Sequence, residues 1–262
     1  MEILAYLITG AAAGLAAGLL GIGGGLIIVP VLAVLFTSQG FNTETLMHFA
    51  IGTSLATIVF TSISSALSHH RREAVLWPVV SAMTPGIVLG ALVGGVLAKF
   101  VSSSGLSHYF GVFEILVAAQ LVINHQPKEH RALPGRLMQS FAGGLIGLLS
   151  ATLGVGGGTL TAPYLIWHRV DIRHAVGTAA ACGLPIALAG ATGFIVAGLD
   201  IPTNLEWASG FVYWPAALAI IATSVLFAPL GARLAHSLPR EMLRRVFALF
   251  LLLLGLKMLF GS

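Results

Sequence analysis

The chain reads LLGIGGGLIIVP at residues 19–30 and TLGVGGGTLTAP at residues 152–163. In both segments a run of glycines interrupts an apolar stretch, and a proline follows the last glycine by five residues, at Pro30 and at Pro163. A glycine in a helix interior costs about 1 kcal/mol relative to alanine. Three consecutive glycines are therefore expected to unwind a helix, and the two segments predict two broken helices.

The composition excludes an ordinary water-soluble protein. Of the 262 residues, 57% are hydrophobic and 8% are charged, and the mean hydropathy is +0.96. Soluble domains carry about 25% charged residues, so this chain has too few charges to coat a surface in water. Its apolar runs are continuous, which is typical of helices in a bilayer. The sequence therefore predicts an all-α polytopic membrane protein.

Ten apolar stretches divide the chain. They cover residues 3–20, 26–37, 46–67, 75–98, 107–124, 138–153, 159–168, 174–197, 211–235 and 246–260. The second and seventh are only 12 and 10 residues long, whereas a helix that spans the bilayer needs roughly 20. We expect these two to be half-helices, or parts of re-entrant hairpins with the stretches before them.

Other landmarks recur in the same order in the two halves of the sequence. Ala-x-Gly-Thr occurs at residues 50–53 and 175–178, and Trp-Pro occurs at residues 77–78 and 214–215. Each half then contains a hairpin and three spanning helices, an odd number of crossings. The halves are therefore predicted to be inverted-topology repeats, a design found in secondary transporters.

These repeats set the predicted domain boundaries. The first repeat covers residues 1–124, a cytoplasmic linker covers residues 125–137, and the second repeat covers residues 138–262. We expect the two repeats to form one integrated transmembrane domain, because alternating access requires them to rock against each other around a shared site.

The basic residues predict the orientation. Loops 68–74, 125–137, 169–173 and 236–245, with Arg233, hold eleven of the 13 Lys and Arg residues. Such loops face the cytoplasm in membrane proteins, so the net charge of +4 does not indicate a nucleic-acid partner. We expect a multi-pass protein of the inner cell membrane with both termini on the extracytoplasmic side.

The glycine breaks are candidate substrate-binding segments. Broken helices in a membrane persist where they line a cavity or pack against protein. The half-helices that begin at Leu26 and Thr159 have free N–H groups and a positive dipole end, which suit a small anion. The candidate residues are Gly23, Gly24, Gly25, Gly156, Gly157 and Gly158. The alternative is that these glycines only allow helices to pack closely.

The repeated glycine segment and the Ala-x-Gly-Thr element together resemble the sulfite exporter TauE/SafE family of membrane permeases over nearly the whole chain. The resemblance implies transport of small sulfur-containing anions, namely sulfite and organosulfonates such as sulfoacetate, with export as the better-known direction. The second copy has Ala179 and Cys182 where the first has Ser54 and Thr57, so the two halves need not contribute equally.

Several polar side chains near the predicted helix starts are further candidates. The hydroxyls of Thr53, Ser54, Thr159 and Thr178 are expected to bind an oxyanion, unless they bond to carbonyls of their own helices. His48 and Arg173 hold matching positions on opposite faces, where they would attract an anion into a vestibule or gate; the alternative is simple interfacial placement.

Glu114 lies near the centre of its apolar stretch, where an ionisable group is a functional hypothesis by default. It is a candidate for proton coupling, or it pairs with another group and stabilises the helix bundle. The nine histidines show no metal-ligand spacing, and the single cysteine, Cys182, excludes a disulfide within the chain and a cysteine-based metal site. We expect neither a metal nor a cofactor.

The leading functional prediction is a secondary transporter that works by alternating access on a small anionic substrate. A passive anion channel and a transporter of an unrelated small solute remain alternatives, and proton coupling and homo-oligomer formation remain open. An intramembrane enzyme is disfavoured, because Glu114 has no obvious catalytic partner at matching depth.

Overall fold

The computed structural model describes residues 2–20, 24–123, 132–202, 205–234 and 240–260. In these ranges the protein is almost entirely helical, which confirms the predicted all-α membrane protein. The helices are α1 Glu2–Leu20, α2 Gly25–Ser38, α3 Leu46–His70, α4 Trp77–Leu97, α5 Ser103–Ile123, α6 Arg136–Leu153, α7 Thr161–Trp167, α8 Ile172–Gly198, α9 Trp214–Leu234 and α10 Arg240–Phe260. Single 3-10 turns cover Ala98–Phe100 and Gly157–Thr159.

Four helices in the described ranges are long and apolar enough to cross a membrane. They cover Leu46–His70, Trp77–Phe100, Ser103–Ile123 and Ile172–Gly198. In contrast, α2 has 14 residues and α7 has seven. Both are shorter than the roughly 20 residues that a spanning helix needs, as the lengths of the second and seventh apolar stretches predict.

Helices of the two halves pack against each other in an exchanged pattern. The first helix of the chain, α1, lies along α9, and α4 lies along α6. Glycines permit both contacts: a Cβ atom on Gly10 of α1 would collide with the carbonyl oxygen of Ile220, and one on Gly143 of α6 would collide with that of Met83. Small residues at such crossings let helix backbones approach closely.

The central helices α3 and α8 pack together and make a second pair of matching contacts. A Cβ atom on Gly52 of α3 would overlap the carbonyl oxygen of Phe211. The equivalent glycine of α8, Gly177, meets the carbonyl oxygen of Ala74 in the same way. Each central helix is therefore held against the segment that leads into the fourth helix of the other half.

One end of the bundle carries basic loops; we call it the basic end. The guanidinium of Arg173 donates a hydrogen bond to the carbonyl of Arg72, so the loop after α3 and the start of α8 lie side by side. The charge distribution of the sequence predicts that these two regions share one face. Of the other two predicted basic loops, residues 125–131 and 236–239 lie outside the described residues, whereas residues 240–245 form the start of α10 instead of a loop.

The opposite end carries a short antiparallel β-hairpin, which we call the β-hairpin end. Strands β1 (Ala208–Ser209) and β2 (Val212–Tyr213) form it between α8 and α9. This connection is longer than its counterpart, because 36 positions separate Thr178 from Trp214 whereas 24 separate Thr53 from Trp77. The β-hairpin was not predicted from the sequence, since two-residue strands leave no alternating pattern.

Aromatic rings of both halves fill the β-hairpin end. Phe211 lies 5.6 Å from Phe49 and 6.4 Å from Phe194, measured between ring centroids. Phe41, in the loop after α2, stacks on Phe36 at 4.2 Å and meets Tyr213 edge-on at 5.4 Å. These rings join the β-hairpin to α2, α3 and α8 and close that end of the bundle around a continuous apolar core.

Candidate substrate site at the glycine breaks

The second glycine segment interrupts its helix as predicted. Helix α6 ends at Leu153. The next residue, Gly154, has a φ of 67°, a left-handed conformation that residues with a side chain rarely adopt. The N–H of Val155 donates back to the carbonyl oxygen of Ser150 at 3.0 Å. A 3-10 turn over Gly157–Thr159 follows before α7 begins, so the chain leaves regular α-helix for seven residues.

The first glycine segment also separates two helices. Helix α1 ends at Leu20 and α2 begins at Gly25, with Gly24 as its N-terminal cap. The carbonyl oxygen of Gly24 accepts hydrogen bonds from the N–H groups of Ile27 and Ile28, both at 3.0 Å. The candidate residue Gly23 lies outside the described residues.

The two breaks meet in the protein interior. A Cβ atom on Gly25 would collide with the carbonyl oxygen of Gly154 and with Cα of Val155. The same carbonyl accepts a hydrogen bond from the hydroxyl of Ser54, at 2.9 Å, and Ser54 is fully buried. The predicted residue Ser54 therefore lies at the junction of the two breaks, where it ties α3 to the second one.

Close packing explains part of the glycine pattern. A Cβ atom on Gly157 would overlap the carbonyl oxygen of Ala179 and approach the backbone nitrogen of Gly183 on α8. At Gly24 the nearest atoms would be Cβ of Ala13 and Cδ1 of Ile28, at 3.1 and 3.2 Å. The short contacts at Gly25 and Gly157 thus support the alternative that these glycines allow helices to pack closely. An added Cβ atom on Gly24 would make longer contacts, so close packing restricts that position less.

Two buried hydroxyls beside the second break have no hydrogen-bond partner in the described part of the chain. Ser150 lies one turn before Gly154, Thr161 begins α7, and both side chains are fully buried. An unsatisfied buried polar group costs about 1–3 kcal/mol and requires an explanation. A bound ligand with acceptor oxygens would satisfy both hydroxyls.

The sequence prediction did not select Ser150. The sequence contains a feature that could have identified it: Ser150 is a hydroxyl residue one helical turn before a glycine break inside an apolar stretch. Thr159, which was selected, lies in the 3-10 turn and is 7% exposed. Helix α7 has only seven residues, so its dipole is weaker than the predicted half-helix of ten residues would provide.

The predicted residues Thr53 and Thr178 are fully buried and act as hydrogen-bond acceptors between the halves. The hydroxyl of Thr53 accepts from the N–H of Tyr213, and that of Thr178 accepts from the N–H of Leu76, both at 3.0 Å. Neither bond goes to a carbonyl of the residue's own helix. Thr57, by contrast, donates to the carbonyl of Ser54 at 2.7 Å.

His48 and Arg173, the two predicted vestibule residues, have different surroundings. His48 is 4% exposed; its Nε2 lies 3.0 Å from the carbonyl oxygen of Ala98 and 3.1 Å from that of Val101, and its ring packs on Phe211. In this conformation His48 does not border an open vestibule. Arg173 is exposed at the basic end, where an anion can reach it.

Glu114 lies away from the breaks, at the contact between α5 and α10. Its side chain is fully buried, and neither carboxyl oxygen has a hydrogen-bond partner in the described ranges. Across the contact it lies near Gly255, where an added Cβ atom would be 3.2 Å from Cβ of Glu114. The pairing that the sequence left open as an alternative is therefore not formed with any described residue.

Metal-binding groups and basic side chains are both missing from the described interior. Over these residues no group of three or more His, Cys, Asp or Glu side chains is placed to hold a metal ion. No described Lys or Arg is buried. The described donors near the breaks are consequently hydroxyl and backbone N–H groups.

Comparisons with known proteins agree on one class. A family model described as "Sulfite exporter TauE/SafE" matches residues 6–258. A "Probable membrane transporter protein" of Haemophilus influenzae is 36% identical over 98% of this chain and 97% of its own length. The "Probable membrane transporter protein YunE" of Bacillus subtilis is 26% identical over 99% of this chain and 98% of its own. No solved structure matches the chain.

Proposed function

This chain belongs to the sulfite exporter TauE/SafE family, a premise from which we propose that it transports a small sulfur-containing anion, either sulfite or an organosulfonate such as sulfoacetate. The relatives named as probable membrane transporters support transport rather than catalysis. The description of the family also favours export as the direction.

The pair of buried, unpartnered hydroxyls on Ser150 and Thr161 carries the assignment of the site. A sulfite dianion or a sulfonate group offers several acceptor oxygens and no donor, so it complements hydroxyl and backbone N–H donors. Because no described Lys or Arg is buried nearby, the anion is held without an ion pair. Such binding is easily reversed, as a transporter requires.

The proposed site adds these two hydroxyls to the residues selected from the sequence. Its members from the glycine breaks are Gly23, Gly24, Gly25, Gly156, Gly157 and Gly158. Its members with side-chain hydroxyls are Thr53, Ser54, Thr159 and Thr178, together with Ser150 and Thr161. The packing of Gly25 against Gly154 supports a single shared site, since it brings the two breaks within contact distance.

We further propose that the protein works by alternating access between two inverted repeats, each with a re-entrant hairpin. The reciprocal contacts support this mechanism: Gly52 meets Phe211 as Gly177 meets Ala74. Contacts exchanged in this way are expected when two similar halves are related by a two-fold axis. Rocking about that axis would expose the shared site to each side in turn.

The proposed orientation places the basic end in the cytoplasm and both termini outside the inner membrane. The adjacency of Arg173 and Arg72 supports it, because the positive-inside rule requires basic loops to share one face. Lys99, Asp200 and Glu206 would then face the extracytoplasmic side.

Thermal unfolding of the purified protein with a panel of anions tests the substrate. We expect sulfite or a sulfonate to stabilise the native state in proportion to RT ln(1 + [L]/Kd), and acetate to have no effect. A hydrogen bond to a charged group contributes about 1.5–3 kcal/mol, so Ser150→Ala should weaken binding about tenfold or more. The matched control is Thr152→Val, since that hydroxyl bonds to its own helix.

The outcomes separate the proposal from its alternatives. Absence of stabilisation by every sulfur anion, with a shift from a neutral or cationic solute, would overturn the substrate assignment. Saturable uptake against a gradient in vesicles would support a transporter, whereas strictly downhill flux without saturation would support a passive anion channel.

A further inference from the structure

Glu114 is the one acidic side chain that is buried among the described residues. Neither of its carboxyl oxygens has a hydrogen-bond partner in the described ranges, where the ion pair found joins His174 and Asp171 instead. An ionised carboxylate in apolar surroundings is strongly unfavourable unless it is paired. A carboxyl group that carries a proton is neutral and avoids most of that penalty.

Among the described residues, the groups around Glu114 offer no alternative charge. On α10, the described residues that lie against α5 include Gly255, Met258 and Leu259, and Lys257 is exposed. On α3, which also contacts α5, the buried His48 directs Nε2 to the carbonyls of Ala98 and Val101.

On the helices that contact α5, the other described titratable and basic groups lie towards helix ends or at the surface. His69 and His70 are at the far end of α3, Arg136 is exposed at the start of α6, His108 is exposed on α5 itself, and Arg245 is exposed on α10. A proton is therefore a better ligand than a metal cation, because a hard cation requires about six oxygen ligands.

The contact between α5 and α10 is suited to movement. The two backbones cross at Gly111 and Gly255: a Cβ atom on either would lie within 3 Å of the other's carbonyl oxygen, at 2.8 and 2.9 Å. Neither crossing residue has a side chain of its own, and the neighbouring side chains of Ile115 and Leu259 pack beside the glycines. Glu114 lies one helical turn from Gly111, so a small shift of α5 against α10 would change its exposure to water.

We propose that Glu114 is a proton-binding site at the α5–α10 crossing, which couples anion transport to proton movement. The carboxyl group holds one proton while the crossing is closed, and it releases that proton as H⁺, leaving a carboxylate, when the crossing opens to water. The coupling role rests on the proposed transport function. The site is not duplicated, because the equivalent position in the second half is Leu251.

Proton movement can be measured separately from anion binding. Vesicles that contain the purified protein and a trapped pH dye would report proton flux when sulfite is added outside, and labelled sulfite would report exchange. We expect Glu114→Gln to keep sulfite-induced thermal stabilisation and sulfite exchange but to reduce proton flux to the level of empty vesicles. Glu114→Asp should restore part of the flux, and Glu44→Gln, which changes an exposed carboxylate, should match the wild type.

Infrared difference spectra test the bound proton without any substrate. We expect the wild type to show the C=O band of a protonated carboxyl group that is missing in Glu114→Gln. Absence of that band, or wild-type proton flux in Glu114→Gln, would overturn the inference. Loss of sulfite stabilisation along with proton flux in Glu114→Gln would also overturn it. Failure of the proposed function looks different, since the wild type itself would then bind no sulfur anion.

Discussion

Thr53 and Thr178 make the same hydrogen bond to opposite halves of the protein. Each hydroxyl accepts the N–H of the residue before a Trp-Pro pair, Tyr213 in one case and Leu76 in the other, at 3.0 Å. Leu76 is the N-terminal cap of α4, and Tyr213 directly precedes α9. Each central helix therefore satisfies a backbone donor at the start of a helix in the other half.

Replacing either threonine with valine should destabilise the protein to a similar extent. Thr53→Val and Thr178→Val keep the side-chain shape but leave a backbone N–H without its acceptor, which costs about 1–3 kcal/mol. Thermal unfolding in detergent measures the loss. Thr192→Val is the control, since its hydroxyl bonds to its own helix at Leu188. Normal stability of both variants would show that these two hydrogen bonds do not hold the halves together.

The substitution Gly157→Ala should lower the free energy of unfolding much more than Gly135→Ala. The added Cβ atom at Gly157 would overlap a backbone carbonyl of α8, whereas at Gly135 nothing lies within 4 Å. Overpacking of this kind costs about 1–3 kcal/mol. Yield of folded protein and midpoint of thermal unfolding are the readouts. Equal midpoints for the two variants would argue against tight packing at the second break.

Loss of the Phe211 ring should loosen the β-hairpin end. Phe211 is 2% exposed and contacts His48, Phe49 and Phe194; removal of such a ring costs about 3–5 kcal/mol. We expect Phe211→Ala to speed hydrogen exchange of the backbone over residues 205–213. Trp207→Ala should have little effect, because Trp207 is 76% exposed. Unchanged exchange in Phe211→Ala would mean that the aromatic contacts do not hold the β-hairpin in place.

Cysteine labelling checks the orientation. The native Cys182 is fully buried, so background labelling should be low. In intact cells a membrane-impermeant maleimide should label Ser104→Cys at the β-hairpin end and leave Arg71→Cys at the basic end unlabelled; both native residues are exposed. Both should react after the membrane is permeabilised. The opposite pattern in intact cells would reverse the proposed orientation.

The sequence predicts features whose cause is local. Three glycines in a row disfavour helix regardless of their surroundings, so the interruption between α6 and α7 was foreseeable from residues 154–158. The apolar stretches likewise locate most helices. The start of α10 at Arg240 is an exception: the stretch begins at residue 246, but charged residues are compatible with helix at a membrane boundary.

Features that depend on contacts between the halves could not be predicted. The sequence places Thr53 at the start of a helix, but it does not indicate that a backbone donor 160 residues away needs its hydroxyl. For the same reason the burial of His48 was missed, because the β-hairpin that covers it comes from the other half. The unpartnered state of Ser150 is likewise a property of its neighbours in space.

The exchanged packing of α1 on α9 and of α4 on α6 also affects biosynthesis. When α1 leaves the ribosome, the surface that will cover Gly10 and Gly14 has not been made, since α9 begins at Trp214. The early helices must therefore wait in the bilayer, or beside the insertion machinery, until most of the polypeptide is complete. A truncated chain that ends before α9 would leave the glycine face of α1 without the helix that covers it.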